Sequence, residues 1–211
     1  MKRLLMLLVA ALLPLTACLE NPQGPYGNPA NPLVGGVGDS LTYHADRGAS
    51  LQSSDHFLAD QLVAAGYRAS IGATIGASTR DLVNWKGWAE TPSTMFVALG
   101  TNDRHVIDGA TAVPLEESIA NVEGFLDRWA PACPVLTGVI ESSSWGLDES
   151  APAWNDYLQA EAVERGGVYV DWWAIASQHP EWYAAGDVHP NVDGQAAYRD
   201  AIVAGVQECS A

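Results

Sequence analysis

Three short blocks carry residue types that could perform nucleophilic chemistry. Val37-Gly38-Asp39-Ser40-Leu41 follows an apolar run. Val97-Ala98-Leu99-Gly100-Thr101-Asn102-Asp103 follows another, and Asp187-Val188-His189-Pro190-Asn191 lies near the C-terminus. A serine hydroxyl is a weak nucleophile until a base within hydrogen-bond reach takes its proton. Ser40 offers the hydroxyl and His189 the base. A side-chain amide placed where negative charge develops stabilises an acyl-transfer transition state, and Asn102 offers that amide. Asp39 reads as a structural hydrogen-bonder that holds the turn.

These residues need elements to position them. Apolar runs alternate with helical patterns, which argues for βαβ units and a parallel sheet. The strands expected are Leu33 to Val37, Tyr67 to Ala73, Met95 to Leu99, Val135 to Ile140 and Val168 to Trp172. Helices are expected after Ser53 or Ser54, over Thr79 to Trp88, from Pro114, over Pro152 to Arg165, and from a cap at Asp193. In the Pro114 helix, Leu115, Ile119, Val122, Leu126 and Trp129 form one apolar face. In such sheets, reactive residues gather at the carboxyl ends of strands. Ser40 and Asn102 both sit there.

Together and in this order, the blocks resemble the SGNH (GDSL) hydrolase family of esterases and lipases, from about Leu33 to Val206. The resemblance implies a flavodoxin-like three-layer α/β/α sandwich with a five-stranded parallel sheet. It implies hydrolysis of short or medium acyl esters through an acyl-enzyme on Ser40. The oxyanion hole would comprise the backbone N–H groups of Ser40 and Gly76 and the amide of Asn102; Gly76 lies in Ile75-Gly76-Ala77-Ser78, with Gly72 as the rival position. His189 would be the general base. The family places an aspartate three residues before that histidine, where this chain has Gly186; Asp187 is two before. Two arrangements stay open: Asp187 reached through a shifted loop, or a backbone carbonyl orienting a Ser-His dyad. His44 and His105 follow the first and third blocks and could border the pocket, although surface positions are the simpler reading for them, as for His56 and His179. The resemblance implies no metal and no organic cofactor.

Other chemistries lack their signatures. An α/β-hydrolase would carry G-x-S-x-G, and Gly76-Ala77-Ser78-Thr79-Arg80 fails at its last position. Gly35-Gly36-Val37-Gly38 does not complete a dinucleotide loop. No Cys/His group has metal spacing. Two further readings use the same fold: an acyltransferase with an alcohol in place of water, and an inactive lipid-anchored binding protein.

The first residues read as a leader. Lys2 and Arg3 precede the apolar stretch Leu4 to Leu15, and Leu15-Thr16-Ala17-Cys18 resembles a bacterial lipobox. The expected organisation is a signal peptide over 1–17, a Pro/Gly/Asn-rich tether over 18–32 and a hydrolase domain over 33–211. Lipid on Cys18 would hold the protein at the bacterial cell envelope; an ordinary secreted form is the alternative. Cys133 and Cys209 could pair after export or remain free thiols. The chain has a formal net charge of −15, which argues against nucleic acid and against docking on anionic lipid by charge. With 48% hydrophobic residues it can bury a core, and its eight tryptophans are mostly expected there. The expected partner is a small-molecule or glycan ester, met by a monomer.

Overall fold

The structure, a computed structural model, describes residues 23–48 and 56–210. The elements run β1 (Gln23–Tyr26), β2 (Leu33–Gly38), α1 (Ser40–Arg47), α2 (Phe57–Ala64), β3 (Arg68–Ala73), α3 (Arg80–Asn84), β4 (Thr94–Ala98) and α4 (Thr101–Arg104). They continue with β5 (Val106–Ile107), β6 (Ala110–Thr111), α5 (Leu115–Trp129), β7 (Cys133–Thr137), α6 (Leu147–Ser150) and α7 (Pro152–Glu164). The chain ends in β8 (Val168–Val170), α8 (Trp172–Ala176) and α9 (Val192–Glu208). The proposed helix caps Ser53 and Ser54, the leader and Cys18 lie outside the described residues.

The main sheet has six strands in the order β1-β3-β2-β4-β7-β8. Five are parallel, as expected. The sixth, β1, comes from the Pro/Gly/Asn-rich segment and pairs antiparallel with β3. Its short Gln-Gly-Pro-Tyr sequence carries no strand pattern, so nothing in the residues announces it; it forms because the β3 edge offers an unpaired ladder. A separate two-stranded ribbon joins β5 and β6.

The central strands are buried along their whole length, as unbroken apolar runs require of a parallel sheet. Helices α1, α2 and α9 pack into one layer, and α3 packs on α5. Trp85, Trp88, Phe125 and Trp129 form one aromatic cluster. Trp88 lies against β2 at Gly35, where a Cβ would come within 2.6 Å of its ring. Each such large side chain contributes about 2–3 kcal/mol when fully buried. A Cys133–Cys209 disulfide joins the start of β7 to the end of α9.

Local boundaries differ from the sequence reading in several places; the strand expected over Val135 to Ile140, for one, runs from Cys133 to Thr137. The strand expected to reach Trp172 stops at Val170 because Asp171 turns the chain: its side chain accepts from the Ala174 amide and starts α8. The helix expected over Thr79 to Trp88 stops at Asn84, and Trp85 continues in extended backbone. The cap of α9 is Asn191, not Asp193. Its Oδ1 accepts from the amides of Asp193 and Gly194, both at 3.1 Å.

Candidate active site

Strands β3, β2 and β4 are neighbours in register, with Gly38 opposite both Ala73 and Ala98. Their following loops therefore meet at one edge of the sheet. These loops carry Gly76, Ser40 and Asn102.

Ser40 is the first residue of α1. Asp39 caps the helix, its Oδ1 accepting from the Leu41 amide at 2.9 Å. A turn this tight brings Thr42 back over the strand, and a Cβ on Gly38 would lie 2.1 Å from the Thr42 hydroxyl. Only glycine admits that approach. Thr42 in turn hydrogen-bonds the Tyr198 hydroxyl at 3.2 Å, which docks α9 on the start of α1. Asp39 is buried, and burial pushes its carboxyl up to about 7 against the opposing hydrogen bond from Leu41.

His189 lies on the loop between α8 and α9. The neck of that loop is closed by a Tyr183–Pro190 bridge, by the Asn191 amide donating to the Trp182 carbonyl at 2.7 Å, and by the Asn191 side chain donating to the Glu181 carbonyl. A turn follows in which the Asp187 amide donates to the Ala184 carbonyl at 3.0 Å. Gly186 occupies the left-handed region there, with φ +79°. Two residues after Asp187 comes His189. Val188 between them is fully buried, while Asp187 and His189 remain partly exposed.

The result is a continuous chain of hydrogen bonds. Ser40 Oγ lies 2.8 Å from His189 Nε2, and His189 Nδ1 lies 2.8 Å from Asp187 Oδ1. With Nδ1–H donating to the carboxylate, Nε2 is left as acceptor for the serine O–H. The same Oδ1 also accepts the His189 backbone amide at 2.9 Å. Burial raises the Asp187 carboxyl, but these hydrogen bonds and the imidazole charge outweigh it and hold it below the usual carboxylate range. Of the two arrangements the spacing left open, a carboxylate on the imidazole is the one present.

Asn102 lies in the first turn of α4, and its Nδ2 donates to the Ala77 carbonyl at 2.8 Å, so the loop after β3 and the loop after β4 are tied together. Gly76 lies one residue before Ala77 in an exposed turn, with φ +80°. The neighbouring Asp103 strengthens that tie. Its buried carboxylate accepts from the Thr79 amide at 3.1 Å, from the Thr79 hydroxyl and from the Ser118 hydroxyl at 3.0 Å. Arg104 Nη2 donates to the Val113 carbonyl and to Ser118. Burial raises the Asp103 carboxyl more than these donors lower it. Sequence reasoning gave Asp103 no role; a charged residue directly after an apolar strand and a proposed amide donor was the available signal.

Three histidines stand differently from the surface expectation. The His44 ring meets His189 edge to face at 5.5 Å, and His105 stacks on Trp145 at 4.5 Å. Trp145 itself meets His189 edge to face at 6.1 Å. Both histidines thus flank the site. His56 is away from it, linking Tyr26 of β1 to Asp46 of α1 at 3.0 and 3.2 Å. His179 does lie at the surface, stacked on Trp182 and paired with Glu181. Among the described residues, no three His, Cys, Asp or Glu side chains group as a metal site.

The same architecture recurs among solved structures. An acetylxylan esterase from Geobacillus stearothermophilus superposes with a TM-score of 0.68 at 18% identity, covering 87% of this chain and 96% of that one. A carbohydrate esterase family 2 enzyme with a carbohydrate-binding domain, from Corynascus thermopiles (Myceliophthora fergusii), gives 0.62 at 14% identity, covering 88% and 68%. A lipase/acylhydrolase from Enterococcus faecalis gives 0.63 at 17%, covering 84% and 96%. At these identities the likeness is one of fold. No match is found among curated proteins. The family assignment comes from the sequence profile of the GDSL-like Lipase/Acylhydrolase family, which matches residues 37–197 and so takes in Ser40, Asn102, Asp187 and His189. The chain belongs to that family and is a carboxylic ester hydrolase of the GDSL type.

Proposed function

We propose that the protein is a serine ester hydrolase that releases short acyl groups, acetyl above all, through an acyl-enzyme on Ser40, with Ser40, His189 and Asp187 as triad. The observation that carries this reading is the Ser40–His189–Asp187 hydrogen-bond chain, with both links at 2.8 Å. As the Ser40 Oγ attacks the ester carbonyl, its proton passes to His189 Nε2. The carbonyl oxygen becomes an oxyanion. The C–O bond to the alcohol then breaks, and the alcohol leaves with the proton from Nε2. In the second half, His189 takes a proton from water, whose oxygen attacks the acyl carbon. The carboxylic acid departs and Ser40 regains its hydrogen. Asp187, held ionised, steadies the imidazolium in both halves.

The donors for the oxyanion are the Ser40 amide, the Gly76 amide and Asn102. The first N–H groups of a helix have no intrahelical acceptor, which suits Ser40 to the task. The Ala77 carbonyl takes one hydrogen of the Asn102 amide and so fixes which way the group points; the second hydrogen serves the substrate. One such donor is worth about 3–4 kcal/mol of transition-state stabilisation.

A glycan acetate is the favoured substrate. The support is the likeness in fold to an acetylxylan esterase and to a carbohydrate esterase. Export with lipid on Cys18 completes the reading. Its supports are the Leu15-Thr16-Ala17-Cys18 string and the Cys133–Cys209 disulfide, since disulfides persist in oxidising compartments. The test is a p-nitrophenyl ester series from acetate to decanoate, with acetate release from acetylated xylooligosaccharides alongside. Fastest turnover on acetate in both assays is expected. Absence of ester hydrolysis by well-folded protein overturns the reading, and a preference for long chains overturns its acetyl part.

A further inference from the structure

The loop after β7 carries a residue in a backbone conformation that needs an explanation. Trp145 has φ +61° and ψ +12°, the left-handed region, although it is not glycine. A large L-residue held there costs about 1–2 kcal/mol. Such strain persists only where the surroundings impose it, and it clusters at sites that bind or react. Here the surroundings do impose it. The Gly146 amide donates to the Ser143 carbonyl, and the Asp148 amide donates to the Ser142 carbonyl at 2.8 Å. The Ser150 hydroxyl bonds both the Gly146 carbonyl and the Arg104 carbonyl, the latter at 2.6 Å, which pins the loop to α4.

The strained backbone sets the indole beside the reacting groups. Its ring lies 6.1 Å from that of His189, and His105 stacks on it at an interplanar angle of 28°. His105 ends the α4 turn that begins with Thr101 and Asn102, so one short helix places both an oxyanion donor and the back of the indole. The indole remains partly exposed. Ser142 and Ser144 of the same loop line a cavity of about 240 Å³ together with Trp173, Tyr183 and Asp187.

Position decides which part of the substrate meets this ring. His189 Nε2 must hand its proton to the departing alcohol oxygen, so the alcohol leaves on the imidazole side. The acyl oxygen instead points to the donors of the β3 and β4 loops. Trp145 borders the imidazole. A flat aromatic face beside the imidazole, with serine and tyrosine hydroxyls lining the cavity of the same loop, matches an alcohol with a flat C–H face and many hydroxyls, which is a pyranose ring.

We infer that Trp145, backed by His105, is the alcohol-side subsite, where a pyranose ring of an acetylated sugar stacks while its ester reaches Ser40. This inference rests on the esterase reading above and names the alcohol half of its substrate.

The test compares two acetyl esters, acetylated xylooligosaccharide and ethyl acetate, which has no ring to stack. In Trp145→Ala, the ratio of kcat/KM on the sugar ester to kcat/KM on ethyl acetate falls about 10-fold, the effect of one lost aromatic contact. Most of that fall is in KM for the sugar. Trp145→Phe restores most of the ratio. Deacetylated oligosaccharide competes with ethyl acetate in the wild type and competes about 10-fold more weakly in Trp145→Ala. Should the alanine variant not fold, Trp145→Leu carries the same comparison, since it keeps bulk without a flat face. A ratio unchanged within about 2-fold, both esters falling together, overturns the inference and leaves Trp145 as a support for His189. Wild-type protein that cleaves ethyl acetate but no acetylated sugar also overturns it, with the esterase reading intact. Cleavage of neither ester overturns the esterase reading and this inference with it.

Discussion

One oxygen of Asp187 holds His189 at two points, the backbone amide at 2.9 Å and the ring Nδ1 at 2.8 Å. A carboxylate only two residues from its histidine can make both contacts because the Gly186 turn delivers it and the buried Val188 fixes the strip between them. The two-residue spacing therefore still brings a carboxylate onto the imidazole Nδ1.

Asp187→Asn is accordingly expected to damage catalysis heavily. The amide cannot both accept from Nδ1–H and stabilise the imidazolium charge. We expect kcat to fall by about 10³-fold, somewhat less than the 10⁴-fold of a fully enclosed triad because Asp187 is half exposed. His189→Ala should lose nearly all activity. Matched steady-state kinetics on a short ester, with melting curves for both variants, check the order. A loss of under about 10-fold in Asp187→Asn would place the orienting role elsewhere.

Asp103 should act through position. Asp103→Ala leaves the Thr79 amide and hydroxyl without their acceptor, confines the Ser118 hydroxyl to the Pro114 carbonyl, and leaves Arg104 without its neighbouring charge. Unmade buried hydrogen bonds and an uncompensated charge together cost about 3–5 kcal/mol. Urea unfolding measures that loss. In protein that stays folded, kcat should fall more than KM rises, because the loop of Gly76 is then held to the loop of Asn102 by the Asn102–Ala77 bond without the reinforcing bonds from Asp103 to Thr79.

The fold's organisation and the place of Ser40 and Asn102 just past strand ends were legible in the residues, because period and strand-end position are local properties. Five parallel strands follow from unbroken apolar runs such as Met95 to Leu99. The rest depends on partners distant in sequence. Strand β1 exists because β3 has a free edge, and Asn191 rather than Asp193 caps α9 because its side chain also closes the loop neck at Glu181. Trp145 carried no signal for the same reason, and His105 only that of following the third block: their place beside the site depends on the rings they touch. The Cys133–Cys209 pairing could not be read because nothing in the sequence places the end of α9 beside the start of β7.

That disulfide should matter for stability alone. It lies at the strand-start end of β7, away from the catalytic edge. Its sequence separation of 76 gives a chain-entropy contribution of about 4 kcal/mol. The Cys133→Ser, Cys209→Ser double variant should melt roughly 10 °C lower, with kcat/KM on a short ester unchanged at 25 °C. Differential scanning calorimetry beside kinetics checks both halves.

Asp39 imposes a pH dependence whose sign is fixed by its raised carboxyl. Burial holds it near 7 in the folded chain, against an ordinary value of 3.8. The folded state thus keeps a proton that the unfolded state has already released. Stability is complete below about pH 4 with respect to this group and declines as pH rises toward 7. The full effect is roughly 4 kcal/mol. Asp39→Asn keeps an acceptor for the Leu41 amide and removes the charge, so its unfolding free energy should lose that decline between pH 5 and 8. Urea titrations at several pH values decide it, and an identical slope in the variant would contradict the assignment.

The central claim is that Ser40 carries the acyl group, and intact-protein mass spectrometry addresses it most directly. Mixed with a fluorophosphonate, the wild type should gain one phosphonyl adduct, map it by peptide analysis to Ser40, and lose its esterase activity in proportion. Ser40→Ala should take no adduct and retain its melting temperature. An adduct on any other residue, or near-full ester hydrolysis by Ser40→Ala, would contradict the account.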